Sequence, residues 1–255
     1  MRKFRCLVLL ASWSCAVPAH AVVISNLTSG TTLFLDNFET GGFSPSVGSW
    51  SIAGPDVTVT GASSPGPAEG SLYASLFRNS NQLSQGNLQA AFTTQSTAGD
   101  VIQLRMMVWV PNDGQDARGQ FILDDGDFSS ARAWIRPDGT GHVEAVGPGT
   151  SLINTGLTYT PGVWQEWDLT YAIGATSFTA TVNGASASGL ASFTSGNISH
   201  ADLFNGVASP GGTLFLDAVP PAASVGSTPE PSTLWFAPAG LLFFSMRRRR
   251  FRLTA

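Results

Sequence analysis

The sequence predicts an all-β fold, a single β-sandwich of the jelly-roll or concanavalin A-like kind, and three observations lead there. Gly, Ser and Thr are abundant while the helix formers Glu and Lys are scarce. Short runs of β-branched and aromatic residues recur through the middle of the chain, each bounded by turn residues. Two dipeptides between such runs, Asp138-Gly139 and Asn183-Gly184, are strong hairpin signals.

The strand candidates, in order, are Thr32–Leu35, Val57–Thr60, Ser71–Phe77, Leu88–Thr93, Val101–Val110, Gly119–Asp124, Ala131–Arg136, His142–Val146, Trp164–Tyr171, Ser177–Val182 and Leu214–Val219. Alternation is cleanest in Trp164–Tyr171. One face carries Trp164, Glu166, Asp168 and Thr170, and the other Gln165, Trp167, Leu169 and Tyr171. No helical periodicity and no tandem repeat precede residue 228. The opening run Leu33-Phe34-Leu35-Asp36 and the closing run Leu214-Phe215-Leu216-Asp217 echo one another, so the first and last strands are expected to pair.

The ends of the 255-residue chain read differently from its middle. Residues 1–21 have the form of a secretory signal. Arg2, Lys3 and Arg5 precede an apolar stretch from Cys6 to Val17, and Ala19 and Ala21 supply small residues for signal peptidase. Cleavage after Ala21 starts the mature chain at Val22. A rival lipoprotein signal acylated at Cys15 lacks the aliphatic residue expected three positions earlier. A sandwich domain is expected over 22–221 and a linker over 222–228. A tail over 229–252 follows: Pro229-Glu230-Pro231, an apolar segment, then Arg247, Arg248, Arg249 and Arg250. As a helix, Ser232 to Met246 spans about 22 Å, short of a hydrocarbon core of about 30 Å. The arginines belong on the cytoplasmic side, which leaves the sandwich outside.

Charge is distributed to match. Between residues 22 and 228 the basic side chains are Arg78, Arg105, Arg118, Arg132 and Arg136 only, against sixteen acids, a net charge of about −11. Such a surface repels phosphate backbones and excludes nucleic-acid binding. The only cysteines, Cys6 and Cys15, lie in the signal, so the mature domain has no disulfide.

The triplet, apolar segment and arginine cluster together resemble the PEP-CTERM sorting domain of Gram-negative bacteria, over about residues 226–252. Pro238 and the trailing Phe251 to Ala255 depart from the pattern. The resemblance implies recognition by exosortase, a transient inner-membrane anchor, delivery to the cell surface or extracellular matrix, and a link to exopolysaccharide and biofilm. An ordinary membrane anchor is the alternative, and it leaves the Pro-Glu-Pro unexplained. Within the domain, a tryptophan-led strand followed by one ending in Asn183-Gly184 resembles concanavalin A-like (laminin G-like) sandwiches.

Several constellations are candidates for chemistry. Glu166 and Asp168 share a strand face, as paired acid/base carboxylates must. Retaining glucanases of this sandwich type carry a further glutamate, where this chain has Tyr171 or Ala172. No catalytic residue is therefore expected, and the chain is expected not to be an enzyme. Asp124, Asp125 and Asp127, with Asp113 and Asp116, have the oxygen-rich character that Ca²⁺ requires, without EF-hand spacing. Asp36, Glu39 and Asp217 are a second candidate set for structural Ca²⁺. Trp134 with Arg132, Arg136 and Asp124 is the candidate glycan-facing patch, while most other tryptophans are expected in the core. His142 and His200 stand alone in the sequence. The expected function is that of an exported, exosortase-sorted matrix or surface protein that binds an extracellular polysaccharide. The alternatives are a secreted glycoside hydrolase or lyase, and a purely structural adhesion component.

Overall fold

The computed structural model describes residues 22–53, 57–61, 65–78, 86–112, 119–205, 212–217 and 219. The signal, the linker and the sorting tail, with Ala19, Ala21, Pro229, Glu230, Pro231 and Arg247 to Arg250, lie outside the described residues.

The domain is a two-sheet sandwich with no α-helix among the described residues. One sheet has nine strands: β1 (Val22–Asn26), β2 (Thr31–Asp36), β4 (Val57–Thr60), β5 (Tyr73–Arg78), β7 (Val101–Trp109), β12 (Trp164–Ala172), β13 (Ser177–Val182), β14 (Ala185–Ala191) and β16 (Gly212–Asp217). The other has seven: β3 (Ser49–Ala53), β6 (Gly86–Gln95), β8 (Gln120–Asp124), β9 (Ala133–Pro137), β10 (His142–Val146), β11 (Leu152–Thr158) and β15 (Ile198–Asn205). Pairing is antiparallel throughout, in the order β14-β13-β12-β7-β16-β5-β4 for the first sheet and β11-β10-β9-β8-β15-β6-β3 for the second.

The period-two alternation of the sequence decides which side chains enter the core. In β12 the burial pattern puts Gln165, Trp167, Leu169 and Tyr171 inside and Trp164, Glu166 and Asp168 outside, as the sequence predicts. Trp167 is fully buried at the centre, edge-on to Phe121 across the sandwich at 5.3 Å and beside Tyr159 at 5.9 Å. Asn183 and Gly184 take φ of 49° and 78°, the two left-handed residues of a type I′ turn, and close the β13–β14 hairpin in two residues. The Asp138 turn is longer. The Asp138 carboxylate accepts the backbone N–H groups of Thr140 and His142 and so closes the loop between β9 and β10 itself.

The expected pairing of first and last strands is corrected. The strand β2, which carries Leu33 to Asp36, pairs with β1. Both β1 and β16 pair with β7, on the edge opposite β12. Val22 to Asn26 face Met106 to Ile102, and Phe215 to Asp217 face Trp109 to Met107. The first and last strands therefore lie end to end along one neighbour. Strand β7 is nine residues long, enough to seat both.

Candidate functional site

The outer face of the nine-stranded sheet brings together residues far apart in sequence. Register places Phe215 of β16 opposite Trp109 of β7, and Trp109 opposite Trp164 of β12. The three rings thus form a row across three adjacent strands, each half-buried. Tyr73 of β5, fully buried, lies edge-on to Phe215 at 5.6 Å and to Trp164 at 6.0 Å, and Trp109 meets Trp164 at 5.8 Å. The next rows of the same face are charged. Glu166 lies opposite Met107, and Asp168 opposite Arg105. The Arg105 guanidinium binds Glu166 Oε1 through Nε at 2.9 Å and also through Nη2, and reaches Asp168 Oδ1 at 3.3 Å. Burial pushes the Asp168 carboxyl up to about 6; Arg105 pulls against that and Glu166 adds to it.

A loop holds this face in place. Gly66 accepts a hydrogen bond from Trp164 Nε1 at 2.9 Å, and the backbone N–H groups of Ala68 and Glu69 donate to Asp217 Oδ2. Further along, Ser71 and Leu72 N–H both donate to Glu39 Oε1 at 2.9 Å. Gly70 lies so close to that carboxylate that a Cβ there would fall 2.4 Å from Oε1, and its φ of 65° already favours glycine. Glu39 and Asp217, two of the expected metal ligands, are thus both backbone anchors of one loop. The third, Asp36, lies elsewhere: it is buried, accepts the Phe38 N–H at 2.8 Å, and takes Trp50 Nε1 at 2.6 Å. Burial raises its pKa all the same.

The second expected set also separates. Asp124 is fully buried and its Oδ1 accepts the Gly126 N–H. Asp125 is exposed and pairs with Arg132 at 2.8 Å. Asp127 caps the turn at Ser129, and those hydrogen bonds lower its pKa. Asp113 and Asp116 lie outside the described residues. Among the described residues, no three acidic, His or Cys side chains converge as a metal-binding group.

The expected glycan patch is only partly assembled. Trp134 and Arg136 lie on the outer face of the seven-stranded sheet. Arg136 is tied to Glu144 at 2.9 Å, and Trp134 packs toward Phe193 over Ile122 and Phe204. Arg132 is buried and fully engaged with Asp125, Thr194 and the carbonyls of Ser130 and Asn197. It joins two loops and presents nothing outward.

Sequence reasoning passed over a third group on this same face. His200 lies opposite Asp124, and Asp202, two residues on, lies opposite Gln89 of β6. Gln89 in turn accepts the Ser51 hydroxyl at 2.6 Å. Asp202 is 1 % exposed, and burial, with Asp124 adjoining, holds its carboxyl far above the usual range. The signal available was the spacing of His200 and Asp202, which puts both on one face of a strand. A groove of about 410 Å³ with Thr31, Thr32, Thr93 and Gln95 in its wall brings no charged group together.

No family model matches the chain, and no curated protein matches it. Solved structures do. A sialidase aligns with a TM-score of 0.50 at 8 % identity, over 78 % of this chain; the chain spans only 18 % of that protein's length. An endo-β-1,4-glucuronan lyase from Trichoderma reesei aligns with a TM-score of 0.46 at 13 % identity, over 66 % of this chain and 89 % of that one. The alginate lyase AlgAT5 aligns with a TM-score of 0.41 at 9 % identity, over 78 % and 93 %. At such identities the likeness is one of fold: a two-sheet sandwich. The expectation that the chain is not an enzyme is corrected here. The sandwich fold is shared with a sialidase, so the architecture gives no ground for excluding catalysis.

Proposed function

We propose that the protein is exported, sorted to the cell surface through its C-terminal tail, and recognises a neutral extracellular polysaccharide on the outer face of the nine-stranded sheet. The observation that carries this reading is the row Phe215, Trp109 and Trp164 beside the Arg105–Glu166–Asp168 cluster. Aromatic rings give a sugar large apolar contact area, and fixed charged groups orient hydroxyls. The cluster holds one cation against two carboxylates, in a domain of about −11 net charge. That balance favours an uncharged chain over a polyuronate. The sandwich likeness to carbohydrate-active proteins supports the substrate class.

Affinity electrophoresis of the full chain through gels of neutral glucan, galactan or arabinan, and of alginate, tests the reading. The expected result is retardation on at least one neutral polymer, lost in Trp164→Ala. Binding confined to alginate, or retardation unchanged in that variant, overturns it. Intact mass of the protein from each cell fraction tests the sorting. A start at Val22 and loss of the segment after about residue 230 is expected, and an uncut tail in the membrane fraction sinks exosortase processing.

A second reading is catalysis at the same place. It is favoured by Asp168, whose carboxyl, pushed up to about 6, stays partly protonated near neutral pH beside Glu166. Release of reducing ends or of unsaturated products from a polysaccharide panel, abolished in both Glu166→Gln and Asp168→Asn, supports it. Turnover that survives both changes removes it.

A further inference from the structure

We propose, on the footing of the polysaccharide reading of this face, that the glycan lies across the strands, along the aromatic row and past it to Ser75 and Thr58, so that the site takes an internal stretch of a long neutral chain. The cross-strand register carries the row further than its rings. Phe215 of β16 lies opposite Ser75 of β5, and Ser75 opposite Thr58 of β4. Ala74 and Leu76, on either side of Ser75, are buried in the core, and so is Val57 beside Thr58. Alternation therefore turns Ser75 and Thr58 outward, onto the face that carries the rings. Trp164, Trp109, Phe215, Ser75 and Thr58 form one line across the adjacent strands β12, β7, β16, β5 and β4. None of these side chains is charged.

The flanking rows confine a ligand to this line. On one side Tyr73 and Asp217 are both 0 % exposed. Asp217 accepts the Ala68 and Glu69 N–H groups, and the Tyr73 hydroxyl meets the Gly66 backbone, so the loop through these residues stands as a wall. On the other side Phe77, two residues after Ser75 on the same strand face, lies opposite Thr213 and is 42 % exposed. Its ring is an apolar flank. Both ends of the line reach solvent. Strand β4 is the last of its sheet and Thr58 is exposed there, while Val163, just before Trp164, is 47 % exposed. Among the described residues nothing closes either end against a passing chain. Aromatic rings suit the apolar faces of sugars, and the Ser75 and Thr58 hydroxyls can both donate to and accept from sugar hydroxyls. Four strand spacings of about 4.8 Å give about 19 Å, and with each sugar advancing a chain by about one such spacing, about four units fit.

The test is calorimetric titration of the full chain with ladders of laminari-, malto-, cello-, galacto- and arabino-oligosaccharides, from dimer to hexamer. On a ladder that binds, affinity is expected to rise at least about tenfold from dimer to tetramer and to level off beyond it. Reducing the terminal sugar of the hexamer to its alditol should change affinity by less than about twofold, because an internal stretch is held. The double variant Ser75→Ala, Thr58→Ala is expected to keep its circular dichroism spectrum and its dimer affinity, and to bind the tetramer about fivefold more weakly or worse. Affinity that levels off at the dimer, a double variant that binds the tetramer as the wild type does, or a hexamer lost on reduction overturns the path while leaving the aromatic row as the binding surface. No binding of any ladder or of its parent polymer overturns the path and the polysaccharide reading together.

Discussion

Each outer face of the sandwich carries a pair of carboxylates, and the two pairs live under opposite conditions. On the nine-stranded sheet Glu166 and Asp168 are half-buried, share one strand, and have the Arg105 guanidinium between them. On the seven-stranded sheet Asp124 and Asp202 are fully buried, sit on neighbouring strands, and have no cation from the protein. The first pair is complete and presents itself next to aromatic rings. The second is turned inward, its two carboxyl groups adjoining each other with Gln89 beside Asp202. Equal residue types thus point to different roles, and the partner and burial of each carboxylate decide between them.

The sharpest way to break this comparison is to exchange tryptophans. Trp164→Ala is expected to weaken polysaccharide binding at least tenfold, while Trp134→Ala on the opposite sheet changes it less than twofold; equal losses measured by affinity electrophoresis would dissolve the distinction between the faces. Next in size is the loop anchor. Asp217→Ala removes the acceptor of two backbone N–H groups and is expected to cost about 2–4 kcal/mol by urea unfolding. It should weaken binding as well, because that loop holds the Trp164 indole.

Part of the pH dependence of stability follows from Asp168, while Asp36 and Asp202, also raised by burial, act in the same direction. The folded pKa of Asp168, about 6, lies above its unfolded value of 3.8, so folding favours the protonated acid. That contribution is complete below about pH 4 and is lost as pH rises to about 6. Its size is expected to be about 1–3 kcal/mol. Asp168→Asn should flatten this part of the curve, and a profile that keeps its slope in the variant refutes the assignment. The smallest effect is expected at the partly exposed Arg136–Glu144 pair. Glu144→Gln should change stability by no more than about 1 kcal/mol, and a larger loss would make that pair structural.

Local pattern made much of the fold legible. Strand β12 could be read face by face because large apolar residues alternate strictly with polar ones. The Asn183-Gly184 hairpin was equally plain, since few sequences accept two left-handed residues in succession. Strand β14, Ala-Ser-Ala-Ser-Gly-Leu-Ala, escaped because small residues carry little periodicity. Strand β15 escaped because both its faces are buried, which erases the alternation. That second omission hid the acidic pair: Asp202 could not be set beside Asp124 without the strand that carries it. The aromatic row was hidden for a related reason. Trp109, Trp164 and Phe215 are conspicuous singly, but their alignment is a matter of cross-strand register. Glu39 and Asp217 were singled out with Asp36 as metal ligands, and what the two hold in the structure is a loop backbone. Such bonds leave no trace in side-chain spacing.

The tandem seating of β1 and β16 has a topological consequence. Val22 faces Met106 and Asp217 faces Met107, so the last strand stops where the first begins, on a single line and in the same direction. The described chain is in effect a ring cut at one point. A circular permutant that bridges Asp217 to Val22 by a short linker and opens instead within the Asp138-Gly139 loop would keep every ladder of both sheets intact.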